Sequence, residues 1–224
     1  MASIKLFVNI LPYFSHLIQR KLCIFANKLK VSMRDIIIAT HNKHKIEEIQ
    51  QVVKGKINII SLKELGLNND IPETGDTLKE NARQKARYVY ERFHKDCFAD
   101  DTGLEVDALD GRPGVYSARY AGEKCSFDDN IDKLLEELDG KTNRKACFKT
   151  VICLIENGEE KYFEGICKGN ITTERYGNKG FGYDPVFIPE GHGESFAEMS
   201  GEAKNKISHR GIATRELIKY LLKQ

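Results

Sequence analysis

The sequence has no C-x-x-C pair, no internal repeat, no low-complexity tract and no apolar run near the roughly 20 residues that a membrane-spanning helix needs. These absences disfavour zinc-ribbon, redox-motif, repeat and membrane proteins. The length of 224 residues fits one substantial α/β domain or two small lobes. The six cysteines stand singly, and we expect free, structural thiols in a reducing compartment, the cytoplasm: Cys23, Cys97, Cys125, Cys147, Cys153 and Cys167.

Acidic residues are missing from the first 34 positions, which carry six basic ones: Lys5, Arg20, Lys21, Lys28, Lys30 and Arg34. Removing these six from the total of 35 leaves 29 basic residues against 33 acidic ones, so the chain from Asp35 onward has a charge of about −4. General binding to nucleic acid depends on neutralising many phosphates, which an acidic body does not favour. A single nucleotide needs only a few local cations.

The acid-free segment 1–32 is predicted to be an N-terminal extension, poorly ordered and without a catalytic role. It lacks the order of a signal peptide, and its composition fits either a transit peptide or sequence upstream of the natural start. Met33, just before a clean strand pattern, favours the second interpretation. Residues 33–224 are then expected to form a single catalytic domain.

The body begins with a β-α-β pattern. Asp35–Ala39 is an apolar run typical of a buried strand, and Ile46, Ile49 and Val53 follow at helical spacing. A second short strand is predicted over 57–60. The polar residues 40–45 therefore form a strand-to-helix turn, whose backbone N–H groups can face an anion.

Further elements are predicted downstream. Thr77 and Glu80 have the spacing of a capping box, before a helix whose apolar face is Leu78, Ala82, Ala86, Val89 and Phe93. A strand around 97–99 is expected to end at an acidic pair, and a helix is predicted over 128–138. Two strands, 145–155 and 161–171, flank the hairpin signal Asn157-Gly158, and the chain ends in a helix over 208–222.

The acidic pair Asp100-Asp101 precedes Thr102-Gly103 and is followed by Arg112 and Arg119. Adjacent carboxylates are costly to hold together unless they share a cation or a proton. Such a pair can hold a hard divalent ion such as Mg²⁺ against phosphate oxygens. Taken alone, the pair fits an acidic surface turn as well.

Four polar clusters lie in turns, where function is concentrated. They are Thr40-His41-Asn42 with Lys45, Glu73-Thr74-Gly75, Asp100-Asp101-Thr102, and Lys204 with Ser208-His209-Arg210. Each has an ordinary structural interpretation as a cap, a solvated turn or a first helical turn. Together they combine acidic groups for a metal with cations for phosphates, the parts of a phosphoryl-transfer site.

In these clusters the chain resembles the Ham1/RdgB family of inosine triphosphate pyrophosphatases, from about Ile36 to the C-terminus. The resemblance is carried by five ordered motifs: 39–45 (ATHNKHK), 73–75 with 80–82 (ETG, ENA), 99–104 running to 113–120 (ADDTGL, PGVYSARY), 180–185 (GFGYDP) and Lys204 with 208–211 (SHRG). The resemblance implies hydrolysis of noncanonical purine nucleoside triphosphates such as ITP, dITP and XTP to the monophosphate and pyrophosphate, which removes them from the nucleotide pool.

The resemblance also implies roles for individual residues. Asp101 would be the catalytic proton acceptor and a Mg²⁺ ligand, with Glu73 and then Asp100 completing the metal site. The nucleotide would be bound by Thr40, His41, Asn42, Lys43, His44, Lys45, Thr102, Phe181, Gly182, Tyr183, Asp184, Lys204, His209 and Arg210. Phe181 is suited to stacking on a purine, and Arg210 and His209 would lie near the base.

The fold implied by the family is α/β: a long mixed β-sheet flanked by helices, elongated, in two lobes with a central active-site cleft. A homodimer is implied as well. The chain departs from the family at His41, where many members have Gly or Ser, and in the extension 1–32.

Three rivals remain at this point. A nucleotide-binding sensor would need the turn 40–45 and the loop 181–184 but not all three carboxylates. A nucleic-acid-binding protein would use the basic extension. A pyrophosphatase for modified pyrimidine nucleotides differs from the favoured interpretation only through the family resemblance.

Overall fold

One mixed sheet of seven strands organises residues 34–223, the part of the chain that the computed structural model describes. The strands are β1 (Arg34–Ile38), β2 (Ile57–Ser61), β3 (Cys97–Val106), β4 (Pro113–Gly114), β5 (Lys145–Glu156), β6 (Glu159–Ile171) and β7 (Phe187–Pro189). Their order is β2-β1-β3-β5-β6-β7, with β4 paired to β3. β1 and β3 are parallel, whereas β3-β5, β5-β6, β6-β7 and β3-β4 are antiparallel.

Five helices flank this sheet within residues 34–223: α1 (Lys43–Val53), α2 (Leu78–Phe93), α3 (Phe127–Glu137), α4 (Gly201–Ile207) and α5 (His209–Leu221). The predicted β-α-β start and the predicted mixed α/β sheet are thereby confirmed. None of the helices in this part of the chain is long and apolar enough to cross a bilayer. The extension 1–32 lies outside the described residues, and the predictions about it stay predictions.

The sheet and its helices form two lobes. The first lobe has three layers: α2, the sheet, and α1 with α5. Ile37, Cys97 and Cys153 point to one face of the sheet and pack against α2 through Ala82, Ala86 and Val89. Ile36, Phe98 and Ile152 point to the other face and pack against α1 and α5 through Ile49, Val53, Ala213 and Leu217. Strands buried on both faces read as continuous apolar runs, as β1 does.

The second lobe uses the far halves of β3, β5 and β6. Leu104, Phe148 and Cys167 on one sheet face pack against α3 through Ile131 and Leu134 and against Phe187 and Phe196. The long hairpin β5-β6 therefore runs through both lobes. Asn157 and Gly158, at φ 51° and 87°, make its turn as predicted, because both positions require left-handed backbone.

The predicted caps and thiols are also found. Thr77 and Glu80 form the capping box of α2. All five cysteines within residues 34–223 are free. Three elements were not predicted: the short strands β4 and β7, and α4, which lies between α5 and the glycine-rich segment 177–182, called the glycine loop below.

The strand carrying the acidic pair is longer than predicted. The expectation that it ends at Asp100-Asp101 was wrong, since β3 continues to Val106 and is paired with β5 throughout. Gly103 does not make a turn; a Cβ there would lie 2.5 Å from the carbonyl oxygen of Gly114 on β4. The glycine is needed for the close approach of these two strands, and the acidic pair lies in the middle of a rigid strand, between the two lobes.

Candidate active site

A cleft opens between the two lobes, at the middle of β3. Of the predicted site residues, those that line it are Thr40, Asn42, Lys45, Glu73, Asp101, Thr102, Phe181, Gly182, Tyr183, Asp184, Lys204, His209 and Arg210. The turn 40–45 and His209-Arg210 come from the first lobe, the glycine loop comes from the second, and β3 carries Asp101 and Thr102 between them. The structure thus brings together residues that are up to 170 positions apart in the sequence.

The turn between β1 and α1 is held by its own polar side chains. Asn42 is the N-cap of α1, and its Oδ1 accepts a hydrogen bond from the backbone N–H of Lys45 at 3.2 Å. Thr40 Oγ1 accepts from the N–H of Asn42. The N–H groups of Lys43 and His44, in the first helical turn, have no intrahelical acceptors. This turn is preorganised to bind an anion.

Asp101 and Glu73 are joined by a lysine that the sequence analysis did not select. Lys85 Nζ on α2 lies 2.8 Å from Asp101 Oδ1 and 2.5 Å from Glu73 Oε1. Burial raises the pKa of Asp101, although Lys85 and Lys45 act in the opposite direction. Burial alone would also raise the pKa of Glu73, but Lys85 outweighs it and lowers the pKa. The more basic carboxylate of the two is therefore Asp101.

Asp100 points to the opposite face of β3 and is fully buried. Its Oδ2 lies 3.2 Å from Lys45 Nζ and 3.1 Å from Arg210 Nε, and Thr102 Oγ1 donates to it at 3.3 Å. Burial favours a higher pKa, yet Lys45 and Arg210 outweigh it and hold the pKa of Asp100 below its usual range. Asp100 is thus an ionised anchor for two cleft cations, and its Oδ1 has no hydrogen-bond partner within residues 34–223.

Glu48 on α1, a carboxylate that was not predicted, joins Lys204 to Arg210. Its Oε1 lies 2.5 Å from Lys204 Nζ, and its Oε2 lies 2.5 Å from Arg210 Nη1. Lys204 Nζ also lies 2.5 Å from Asp184 Oδ2. An alternating chain of charges therefore runs along the cleft from Asp184 to Asp100.

The glycine loop before β7 is tied down by Asp184. Its Oδ2 accepts a hydrogen bond from the backbone N–H of Phe181 at 2.9 Å, and Gly180, at φ 74°, leaves the space that this carboxylate fills. The Tyr183 hydroxyl donates a hydrogen bond to the carbonyl oxygen of Ser117 at 3.0 Å. The Phe181 ring is therefore presented to the cleft by a loop with little freedom.

His209 is buried at the start of α5, and its ring stacks on Phe148 with centroids 4.5 Å apart. Burial, reinforced by Arg210 and Lys204, places its pKa well below the usual value. Its Nδ1 has no hydrogen-bond partner among the residues that the structure describes. A neutral imidazole with an unused polar atom beside the cleft is suited to reading a ligand.

The donor set fits a magnesium ion that is shared with a ligand. Glu73 Oε2 and Asp101 Oδ2 have no hydrogen-bond partner among residues 34–223, and both side chains line the cleft. No cluster of three or more His, Cys, Asp or Glu side chains in that range is arranged as a complete metal cage. Mg²⁺ commonly takes one or two carboxylates and completes its shell with phosphate oxygens and water.

Several cleft residues escaped the sequence analysis. Lys85 and Glu48 do not line the cleft themselves but form ion pairs with residues that do. The cleft is also lined by Ser117, Phe127, Asn130 and Phe148. Lys85 had a signal that was overlooked, since it lies on the same helical face as Ala82, Ala86 and Val89. Ser117 lies in the motif 113–120, although it was not selected as a site residue. Nothing in the local pattern marks Glu48, Phe127, Asn130 or Phe148.

Four predicted residues do not line the cleft: His41, Lys43, His44 and Asp100. His41 is exposed, with Nε2 2.9 Å from the carbonyl oxygen of Asn69, so the departure from the family at this position leaves the capped turn intact. Lys43 is exposed on the first turn of α1. His44 contacts the cleft indirectly, since its ring stacks on Phe181 with centroids 5.0 Å apart.

Comparison with known proteins places this geometry in context. The model of the Ham1 family matches residues 36–220. A dITP/XTP pyrophosphatase of Flavobacterium psychrophilum is 56% identical over 185 residues, which cover 83% of this chain and 97% of that protein. A dITP/XTP pyrophosphatase of Porphyromonas gingivalis is 55% identical over 191 residues, covering 85% and 98%.

Solved structures give the same result. The Ham1 protein of Staphylococcus aureus is 41% identical and superposes with a TM-score of 0.77, covering 85% of this chain and 99% of that one. A HAM1 protein of Coxiella burnetii is 38% identical with a TM-score of 0.79, covering 86% and 100%.

Proposed function

This chain belongs to the Ham1 family, and on that premise we propose that it hydrolyses noncanonical purine nucleoside triphosphates, namely ITP, dITP and XTP, to the monophosphate and pyrophosphate. The observation that carries the proposal is the single cleft in which a capped helix N-terminus, two accessible carboxylates and an aromatic loop meet. These are the parts needed for a triphosphate, for the reacting centre and for a base. The names of the two relatives support the same substrate class.

The triphosphate would bind along the turn between β1 and α1. The free N–H groups of the first helical turn and the ammonium of Lys45 offer donors to phosphate oxygens. Lys204 lies farther along the cleft, and with Lys45 it would stabilise the leaving pyrophosphate. Thr40 and Asn42 would keep the turn in shape.

Charge matching supports a requirement for magnesium. The cleft brings together four cations and five carboxylates, and every cation is paired: Lys45, Lys85, Lys204 and Arg210 with Glu48, Glu73, Asp100, Asp101 and Asp184. A triphosphate adds several negative charges for which residues 34–223 offer no uncommitted cation in the cleft. Glu73 and Asp101 would hold Mg²⁺, with Asp100 supporting them from beneath. When bound, the ion supplies positive charge that offsets the charge developing on the phosphate oxygens.

Asp101 would orient and deprotonate the attacking water. Its pKa is raised by burial, so that the carboxylate is a better base than an exposed aspartate. Lys85 fixes the position of the carboxylate through Oδ1 and leaves Oδ2 directed to the cleft. The water oxygen would form a bond to the α-phosphorus as the bond from that atom to the leaving pyrophosphate breaks. Asp101 would take the proton of the water.

Base selection would occur at the other end of the cleft, between Phe181 and His209. A 6-keto oxygen accepts a hydrogen bond, whereas the 6-amino group of adenine donates one. The neutral imidazole of His209 and the guanidinium of Arg210 can each offer a donor there, and adenine would leave those donors unpaired. The sensor rival loses support, since a sensor has no need for the Glu73–Lys85–Asp101 arrangement.

Two finer points do not depend on the cleft: the first rests on the family resemblance and the second on the unpaired cysteines. We propose that the protein is a homodimer and that it acts in the cytoplasm. Light scattering coupled to size-exclusion chromatography tests the first, and a mass of one chain would refute it.

The enzymatic test compares initial rates with ITP, XTP, GTP and ATP at equal concentration, with Mg²⁺ and with EDTA. We expect ITP and XTP to be preferred, and EDTA to abolish turnover. Asp101→Asn should lower kcat by at least about 100-fold. The control is Asp139→Asn, an exposed aspartate outside the cleft, which should match the parent. Equal rates with ATP and ITP, or an Asp101→Asn variant at full activity, would refute the proposal.

A further inference from the structure

Three aromatic rings from three separate segments meet at the mouth of the cleft. His44 comes from α1, Phe127 from α3 and Phe181 from the glycine loop. The His44 ring stacks on Phe181 at an interplanar angle of 14°. The Phe127 ring lies tilted against Phe181, with centroids 5.9 Å apart and an angle of 52°, and its edge meets His44 with centroids 6.3 Å apart.

Phe127 has no role in the packing of α3. It belongs to none of the three cores, and 44% of it is exposed, which makes it one of only five large apolar residues exposed within residues 34–223. Ile131 and Leu134 on the same helix supply the buried contacts. An exposed phenyl ring that lines a cleft has apolar area available for a ligand.

The position of Phe127 on its helix explains how it reaches across the cleft. It is the first residue of α3, directly after the capping Ser126. Helical side chains lean toward the N-terminus, and at the first position no preceding turn lies beneath the side chain. The ring therefore projects beyond the helix end, from the second lobe toward α1 and the glycine loop.

The present geometry has no room for a base between the two phenyl rings. Stacked carbon atoms lie about 3.5–4 Å apart, so a base sandwiched between two rings needs roughly 7 Å between their planes. Centroids 5.9 Å apart and a tilt of 52° leave less than that. In this structure Phe127 lies against Phe181, and a base can enter between the two rings only if one of them moves.

We propose that Phe127 is a further substrate-binding residue, a movable aromatic flap that swings outward to admit the purine and then lies against it opposite Phe181. His44 is the fixed counterpart, a positioning residue that holds the Phe181 ring by stacking on it. The inference rests on the proposed function for the identity of the ligand, a purine nucleotide. Phe127 would give the base a second aromatic contact, besides Phe181, and would make no contact with the phosphates.

The natural absence of tryptophan provides a direct test. In Phe127→Trp all indole fluorescence comes from position 127. The matched control is Leu222→Trp, at an exposed apolar position of similar exposure that does not line the cleft. Adding ITP should change the intensity and emission maximum of the Phe127→Trp protein saturably, whereas inorganic tripolyphosphate, which has no base, should not. No response to ITP, or an equal response to tripolyphosphate, would overturn the inference.

Kinetics and binding give an independent readout. Loss of one aromatic contact corresponds to roughly two- to twelvefold in affinity. We expect Phe127→Ala to raise the Kd and KM for ITP by that factor, to change kcat less than twofold, and to leave the Kd for tripolyphosphate unchanged. Phe127→Tyr should restore the affinity, and Leu222→Ala should behave as the parent. An unchanged Kd for ITP in Phe127→Ala would refute the flap.

The same measurements separate the inference from the proposed function. ITP binding that depends on Phe127 in a protein without turnover would uphold the flap and refute the pyrophosphatase. If the parent hydrolyses ITP and the Phe127→Ala variant binds and hydrolyses it equally well, the pyrophosphatase is upheld and the flap is refuted.

Discussion

Glu48→Gln should destabilise the fold strongly, because Glu48 holds two cleft cations at once. Its carboxylate is 14% exposed and lies 2.5 Å from Lys204 Nζ on one side and 2.5 Å from Arg210 Nη1 on the other. Glutamine keeps the shape but removes the charge. Its amide nitrogen would also face one of the two cations as a second donor.

The magnitude follows from the partners that remain. Removing one member of a buried ion pair costs about 3–5 kcal/mol, because it leaves a buried charge uncompensated. Here Lys204 keeps Asp184 and Arg210 keeps Asp100, so we expect the lower end, about 3 kcal/mol. For a protein of this size that corresponds to a fall in Tm of roughly 6–12 °C.

The effect should depend on pH in a defined direction. Burial alone would raise the pKa of Glu48, but Arg210 and Lys204 outweigh it and lower the pKa below its ordinary value of 4.5. A carboxyl whose pKa is lower in the folded state contributes stability above its unfolded pKa and loses that contribution as the pH falls through the folded value. The difference between parent and variant should be full at pH 7 and shrink below pH 4.5.

Urea unfolding at pH 7 and at several lower values measures this difference. The matched control is Glu47→Gln, the same substitution one position earlier on α1, where the side chain is exposed and has no ion pair within residues 34–223. We expect the control to change stability by less than about 0.5 kcal/mol. A Glu48→Gln loss below about 1 kcal/mol at pH 7, or one that grows as the pH falls, would refute the reasoning.

Three further predictions concern other parts of the molecule. Thr77→Ala removes the N-cap of α2 and should cost about 1 kcal/mol in urea unfolding, with Thr77→Ser close to the parent; an equal loss in both would contradict the capping role. Gly103→Ala places a Cβ 2.5 Å from the carbonyl oxygen of Gly114 and should lower the free energy of unfolding by about 1–3 kcal/mol. An unchanged midpoint of urea unfolding would show that β4 can move away at no cost. Lys85→Met leaves two carboxylates without their shared cation and should lower stability by about 3 kcal/mol in EDTA. Mg²⁺ should raise the Tm of this variant more than that of the parent, and no such excess would count against the metal site.

Local signals predicted the framework well. Asn157-Gly158 fixed the long hairpin because only a turn with left-handed backbone joins such strands tightly. The Thr77–Glu80 pair marked the start of α2 for an equally local reason. The five motifs of the family identified most of the predicted residues that line the cleft. Each motif is short, so its residues are recognisable from the local sequence.

The errors concern contacts between distant segments. The sequence T-G after the acidic pair reads as a turn, yet Gly103 is required by β4, which no local pattern reveals. Lys85 lies on the apolar face of α2, but only the carboxylates from two other segments explain why a lysine is buried there. Glu48 was missed for the same reason, since its partners are more than 150 positions away.

The measurement that tests the central claim most directly is the identification of the phosphorus-containing products from ITP with Mg²⁺ and the parent protein. A ³¹P NMR time course of one reaction distinguishes pyrophosphate with IMP from orthophosphate with IDP. The cleft described above predicts pyrophosphate and IMP in equal amounts and no IDP. Orthophosphate and IDP, or unchanged ITP that nevertheless binds to the protein, would contradict the account.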